Sequence, residues 1–490
     1  MMVANQKGLG TLEGVYVPCM LSIIGVILFL RLGWAVGEVG ILGVLVMIGV
    51  GTCLILFTVL SLCALVTNGK IRGGGAYYLI SRSLGPEAGG AIGVIFFAAN
   101  AVGIAFYMQG FGDTMGEVFK LDPKDEMTHW KILGMSCACL CLELIVSICG
   151  SGLYAKMAFI IYLVQMGSIY FGAYSIFARG SSPFSWEAYS PDGTLTNYSY
   201  LGPSWETFNE NWLPPPGADF AGVFKTIFPA LTGIMAGANM SGVLKRPEIA
   251  IPRGELWAIV HSMSTYVFIA LLLGAAVPRK TLQEQYLILS LVTYPGDGPS
   301  VIVTIGVVAS TTSSALASIQ SASRVIQALA NDGLIPILKP LASECNGEPL
   351  AGILAAVCIA TGLLFVGSLD AIAPILTMFF LITYCLTNLA CFIHRVSGHP
   401  NFRPQFRFFS WHTCLAGALA NFATMWILEW LYSLLAIVVL SSIAYYVAQR
   451  PEDQKGGWGS VSQSVIFHQV PLPPSVRAQS AILEVTTGLG

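Results

Sequence analysis

Charge is what this chain has least of. Only 10% of its 490 residues are Asp, Glu, Lys or Arg, against about 25% in an ordinary soluble domain, and that scarcity excludes a surface built for water on all sides. A disulfide framework is missing as well. All twelve cysteines fall in apolar runs or on the side expected to be cytoplasmic, where thiols stay reduced. Cys137, Cys139 and Cys141 alternate along one run, a spacing that a helix scatters around its circumference instead of converging it on a metal. The net charge of −2 says little about partners. No nucleic-acid partner, no cofactor and no covalent chemistry are expected.

What is present is a succession of membrane-length segments, with 55% of residues hydrophobic. At about 20 apolar residues per crossing, spans are expected near 15–38, 41–67, 88–118, 131–150, 154–178, 219–244, 254–278, 300–329, 349–368, 370–393, 409–426 and 427–448. The reading is an all-α polytopic membrane protein of about twelve helices. The first run follows a short tail, "MMVANQKGLGTLEG", and continues too far for a cleavable signal. With a cytoplasmic N-terminus, roughly 16 of the 24 Lys and Arg fall inside and about six outside, the expected inward bias of positive charge. Lys70, Arg72, Arg82, Lys156, Lys245, Arg246 and Arg253 are among the inner ones. Both ends are then cytoplasmic. The longest external segment, about 179–218, carries the sequon Asn197-Tyr198-Ser199 on the side where glycosylation occurs.

Two spans are not smooth, and they hold corresponding places in the chain. The first reads "PCMLSIIGVILF" from Pro18 and the sixth "FPALTGIMAGANMSG" from Phe228. Each sets a hydroxyl residue just before a glycine and two aliphatics: Ser22 before Gly25-Val26-Ile27, and Thr232 before Gly233-Ile234-Met235. One opens the first five spans and the other the second five, which points to an inverted-repeat transporter with two broken helices meeting at the midplane. Unwinding a helix in a bilayer frees amides and carbonyls at several kcal/mol each unless something binds them. Freed N–H groups suit an anion; freed carbonyls with nearby hydroxyls suit a dehydrated alkali cation. The bland alternative is that Gly and Ser merely let helices pack closely.

Other polar groups belong to the same depth: Tyr107 in the third span, Ser313 and Ser314 in the eighth, Tyr384 in the tenth. Each has an ordinary packing explanation, a tyrosine hydroxyl on a backbone carbonyl or a small-residue helix contact. Arg31 lies inside the first span, at an insertion cost of roughly 2.5–3.5 kcal/mol or more that calls for a partner. Asp113, a few residues beyond Tyr107, is the expected one, the two forming an external gate. The competing reading has Arg31 snorkelling to the outer interface.

The residues resemble the cation-chloride cotransporters of the amino acid–polyamine–organocation superfamily over nearly the whole chain. The likeness is densest in "GVYVPCMLSIIGVILFLRLGW", "TNGKIRGGGAYYLISRSLGPEAGGAIGVIFFAANAV", "FPALTGIMAGANMSG" and "SSALASIQSASRVIQALANDGLIP". The resemblance implies a LeuT-like repeat of five plus five helices, with the first and sixth broken. It implies a short cytoplasmic helix over "GGGAYYLISRSLGPE". It also implies roles. Potassium falls to Ser22, Ile23, Tyr107, Pro229 and Thr232, with Ser22 standing where the family has Asn. One chloride falls to Gly25, Val26 and Ile27, and the second to Gly233, Ile234, Met235 and Tyr384. Sodium falls to Leu21 and Ile24 with Ser310, Ser313 and Ser314.

The paired serines of "TTSSALAS" favour the sodium-coupled members, and Tyr107 favours the sodium–potassium–chloride branch over the sodium–chloride one. The implied partners are sodium, potassium, chloride and the lipid bilayer, with a homodimer among the assemblies the resemblance admits. The implied location is the plasma membrane. Val243 stands where the family usually has Asp, so a cytoplasmic gating contact is expected to be lost. The family's long N-terminal tail and large C-terminal cytosolic domain have no counterpart in the sequence. The expected division is a cytoplasmic tail over 1–14, a transport domain over 15–449, and over 450–490 the start of the linker to that domain. Three rival functions stay open: a potassium–chloride symporter, an amino-acid carrier of the same superfamily, and a non-transporting partner of a true cotransporter.

Overall fold

The computed structural model describes residues 9–68, 77, 81, 85–180, 182–190, 193–293, 299–345, 347–365, 368–396, 402 and 404–449. Most of the inner "GGGAYYLISRSLGPE" stretch, Lys70, Arg72, Arg82, most of the N-terminal tail and the 450–490 linker lie outside the described residues, as do the side chains of Lys156 and Val243.

Among the described residues, ten helices are long and apolar enough to cross a membrane, while the shorter apolar helix Leu350–Leu364 and the helix Trp411–Leu428 lie where the ninth and eleventh spans are expected. The chain is thus an integral, mostly helical membrane protein. The first two spans join without a loop. Leu32–Val66 is continuous except at Gly40, whose φ of +73° only glycine adopts cheaply. A Cβ there would also stand 2.7 Å from the carbonyl of Leu213.

Both breaks form where the glycines and proline put them. The first span is helical over Val17–Ile23, leaves helical geometry at Ile24 (ψ 69°) and Gly25 (ψ −161°), and resumes over Val26–Leu30. The sixth runs Phe220–Ile227, tightens to a 3₁₀ turn over Phe228–Leu231, opens at Thr232 to Ile234, and resumes over Met235–Asn239. Pro229 offers no N–H to an α-helical ladder, which is why the sixth span leaves α geometry there.

Four of the first five spans touch their counterparts in the second five. The first touches the sixth, the second packs on the seventh (Pro247–Ala276), the third (Pro86–Val118) on the eighth (Val301–Asn331), and the fourth (Glu126–Cys149) on the ninth. These contacts fit two repeats related by a pseudo-two-fold axis. The first and third spans are almost wholly enclosed, so the breaks sit in the centre of the bundle, whereas the fourth and twelfth (Trp430–Ala448) expose most of their surface.

One element departs from the all-α expectation. In the external segment, β1 (Phe184–Tyr189) and β2 (Leu195–Tyr200) form an antiparallel hairpin, with Phe184 opposite Tyr200 and Trp186 opposite Tyr198. Alternate residues of a strand share a face, and these four rings stack on one another there. The Tyr198 hydroxyl then donates to Glu284 at 2.8 Å, and that of Tyr200 to the Ile176 carbonyl at 3.1 Å, fixing the hairpin to the bundle. Asn197 is exposed on β2.

Candidate ion-binding site at the two helix breaks

The breaks touch. A Cβ on Gly233 would lie 2.6 Å from the Ser22 carbonyl carbon and Cβ and 2.7 Å from the Ile23 nitrogen, so the sixth span approaches the first as closely as backbone allows. Beside this crossing is a cavity of about 40 Å³, lined among others by Ser22, Tyr107, Thr232, Gly233 and Met235. That is room for an ion or a few waters. Ser22, Tyr107 and Thr232 come from the first, third and sixth spans and are all buried. The Thr232 hydroxyl donates to the Pro229 carbonyl at 2.7 Å. An oxygen that has given away its hydrogen can only accept, which suits a cation.

The carbonyls that the first break frees are met by side chains of neighbouring spans. Ser314 donates to Leu21 at 3.0 Å and Ser310 to Ile24 at 3.0 Å. Leu21, Ile24, Ser310 and Ser314 therefore converge. Ser313 is buried beside them, but its hydroxyl turns back to the Ser310 carbonyl of its own helix at 3.1 Å. Two further partners have no counterpart in the sequence reading. Tyr266 of the seventh span donates to the Ile23 carbonyl at 3.0 Å, and Gln165 of the fifth span (Ser151–Arg179) donates to Ile24 and, at 3.1 Å, to Ser310. Polar residues inside apolar runs were the available signal, but nothing in their spacing says which carbonyl they reach.

On the sixth span, the Tyr384 hydroxyl donates to the Thr232 carbonyl at 2.6 Å, placing that tyrosine at the second break. Gly233 and Met235 line the cavity, while Ile234 is buried and its carbonyl faces Cys19. The Gly25 backbone passes beside both the Tyr107 ring and the Ser314 hydroxyl, a Cβ there falling 3.6 and 3.9 Å from them. Val26 and Ile27 follow, with no side chain capping the first amides of their helix.

The expected Arg31–Asp113 pair is corrected. Arg31 binds Asp370, at the outer start of the tenth span (Leu369–Val396), through Nε at 3.0 Å and Nη2 at 3.1 Å, and its guanidinium lies 3.7 Å from the centre of the Tyr286 ring. Asp113 instead accepts from Gln109 of its own helix at 2.8 Å. The reason is geometric: Gln109 is one turn away and faces Asp113 directly, while the two oxygens of Asp370 match the guanidinium fork. Both carboxylates line a cavity of about 550 Å³ on the side expected to be external, together with Arg31, Glu117, Glu284 and Tyr286. Lys225, unassigned from sequence, forms an ion pair with Glu429 between the last two spans.

Comparison with known proteins bears on this geometry. The amino acid permease family model matches residues 14–472. The chain belongs to the amino acid permease family. Within it, the chain is similar to solute carrier family 12 member 9 of Danio rerio, at 37% identity over 95% of this chain and 54% of that protein. It is 34% identical to solute carrier family 12 member 2 of Squalus acanthias, over 95% of this chain and 41% of the relative. It is equally similar to vacuolar cation-chloride cotransporter 1 of Saccharomyces cerevisiae, over 95% and 42%. The resemblance to cation-chloride cotransporters thus extends along nearly all of this permease-family chain, which spans about half the length, or less, of these relatives.

Proposed function

We propose that this chain is the membrane domain of an electroneutral symporter that moves one sodium, one potassium and two chlorides together by alternating access. The observation that carries the reading is the convergence of Ser310 and Ser314 on the freed Ile24 and Leu21 carbonyls, next to the cavity of Ser22, Tyr107 and Thr232. One face of the break offers oxygen ligands for sodium and the other for potassium. Ile23 and Pro229 complete the potassium set through their carbonyls, and Ser313 the sodium set. Chloride takes the amides of Gly25, Val26 and Ile27, with a second at Gly233, Ile234, Met235 and Tyr384. Opposite charges bound close together in low dielectric stabilise each other by several kcal/mol more than in water. Chloride then raises cation affinity, and cations raise chloride affinity equally.

Tyr107, bulky and facing the site, would crowd the carboxylate of an amino-acid substrate, and labelled amino-acid uptake decides that rival. Arg31, Asp370 and Tyr286 form the outer gate, with Asp113 behind them. Both termini are cytoplasmic, and the membrane is the plasma membrane; the yeast relative is named as vacuolar, which makes localisation of a tagged full chain a necessary check.

The test is rubidium uptake into proteoliposomes of the purified chain, with sodium and chloride removed in turn. Dependence on both supports this reading. Dependence on chloride alone makes it a potassium–chloride symporter with packing serines. No ion-dependent flux of any kind, sodium-driven chloride uptake included, leaves the silent partner.

A further inference from the structure

Gln165 is 1% exposed in the middle of the fifth span, among apolar neighbours. Its Nε2 donates to the Ile24 carbonyl and to Ser310 Oγ at 3.1 Å, while Ser310 Oγ itself donates to Ile24 at 3.0 Å. The carbonyl of Ile24 can only accept, so the group against it is the amide N–H₂ and not its oxygen. Ile24 and Ser310 are two of the oxygens assigned to sodium. A hydrogen-bond donor therefore stands where those oxygens would otherwise meet a cation. At the other end of the same amide, Oε1 is buried with no hydrogen-bond partner.

A buried unpaired acceptor is costly, so Oε1, set beside the oxygens assigned to sodium, is available to take a further partner. A half-turn of the amide exchanges its ends. Oε1 then faces the Ile24 carbonyl and Ser310 Oγ, and three oxygens gathered in a low-dielectric interior repel one another unless a cation lies among them. With a hard cation there, the same three become ligands. The Ser310 hydroxyl is free to rotate, and the Leu21 carbonyl and Ser314 complete the shell.

We propose that Gln165 is a sodium ligand contributed by the fifth span, and that its amide turns over when sodium binds. Without sodium, N–H₂ holds Ile24 and Ser310; with sodium, Oε1 coordinates. The exchange links the fifth span to the broken part of the first, so sodium occupancy changes a contact between two elements of the bundle. The inference rests on the sodium-coupled reading above.

Rubidium uptake by wild type, Gln165→Glu and Gln165→Leu in proteoliposomes tests it, as a function of sodium at saturating chloride and of rubidium at saturating sodium. Gln165→Glu keeps an oxygen and adds charge, so half-saturation by sodium stays at or falls below the wild-type value. Gln165→Leu raises it about tenfold or more, by loss of one ligand, while half-saturation by rubidium stays within about twofold. Sodium-dependent thermal stabilisation of the purified variants follows the same order without requiring transport. If Gln165→Leu does not fold, Gln165→Glu decides alone, and a sodium half-saturation above wild type overturns the proposal.

Unchanged sodium dependence in both variants, or equal harm in both, also overturns it and leaves Gln165 a cross-link. A lower sodium half-saturation in Gln165→Leu overturns it in favour of an amide that only competes with sodium. Sodium-independent uptake by wild type defeats the sodium-coupled reading itself, and this proposal with it.

Discussion

Arg31 and Asp370 stand 339 residues apart in the chain and meet in a two-bonded ion pair at the mouth of the outer cavity. The arginine is almost buried, at 5% side-chain exposure, and the aspartate is half exposed at 50%. Removing Asp370 leaves the buried partner uncompensated. The cost falls between the surface figure of about 0–1 kcal/mol and the buried one of about 3–5 kcal/mol. Asp370→Asn is expected to cut ion flux severalfold, and Asp113→Asn to cut it much less. Rubidium uptake by the two variants at matched expression compares them, and a larger loss in Asp113→Asn restores the pairing expected from sequence.

The three serines of the eighth span do not have equal roles. Ser310 and Ser314 reach carbonyls of the first span, and Ser313 bonds within its own helix. Ser310→Ala and Ser314→Ala should each raise the sodium needed for half-maximal uptake by about tenfold, the worth of one ionic hydrogen-bonding contact. Ser313→Ala should shift it less. Equal shifts in all three contradict the geometry.

Two tyrosines hold the breaks open from outside. Tyr384 serves the Thr232 carbonyl and Tyr266 the Ile23 carbonyl, and both rings are buried. Substituting Phe strands a buried carbonyl at about 1–3 kcal/mol. Thermal unfolding of Tyr384→Phe and Tyr266→Phe in detergent should show that loss, and Tyr384→Phe should also weaken chloride dependence.

Gly233 has no room for a side chain. The atoms nearest a new Cβ include the backbone of Ser22 and Ile23, so rotating a side chain gives no relief. Gly233→Ala forces the two breaks apart at about 1–3 kcal/mol. The expected result is a folded protein with uptake below about a tenth of wild type, read by uptake beside size-exclusion behaviour.

Asn197 offers a test of orientation. It lies exposed on the hairpin that covers the outer cavity. In eukaryotic cells Asn197→Gln should abolish a glycosidase-sensitive shift in electrophoretic mobility, whereas Asn239→Gln, in the second sequon Asn239-Met240-Ser241 at the end of the sixth span, should not. The opposite pattern would reverse the assigned topology.

The sequence by itself determined the crossings and the breaks. Apolar length fixes where a helix crosses, and that length is local. A proline lacks its N–H, and a glycine weakens a helix whatever surrounds it, so Gly25, Pro229 and Gly233 mark the interruptions before any packing is known. The hairpin was also written locally, in the alternation of Phe184, Trp186, Tyr198 and Tyr200, though that segment is assigned no element from sequence. Only the tertiary structure decided partners. That Arg31 takes Asp370 and not Asp113, and that Gln165 and Tyr266 answer the freed carbonyls of the first span, depends on which helix faces meet across 141 to 339 residues of chain. In a bilayer the freed backbone groups must find partners, but several side chains satisfy that demand equally in sequence. Distance and direction in the folded bundle choose among them.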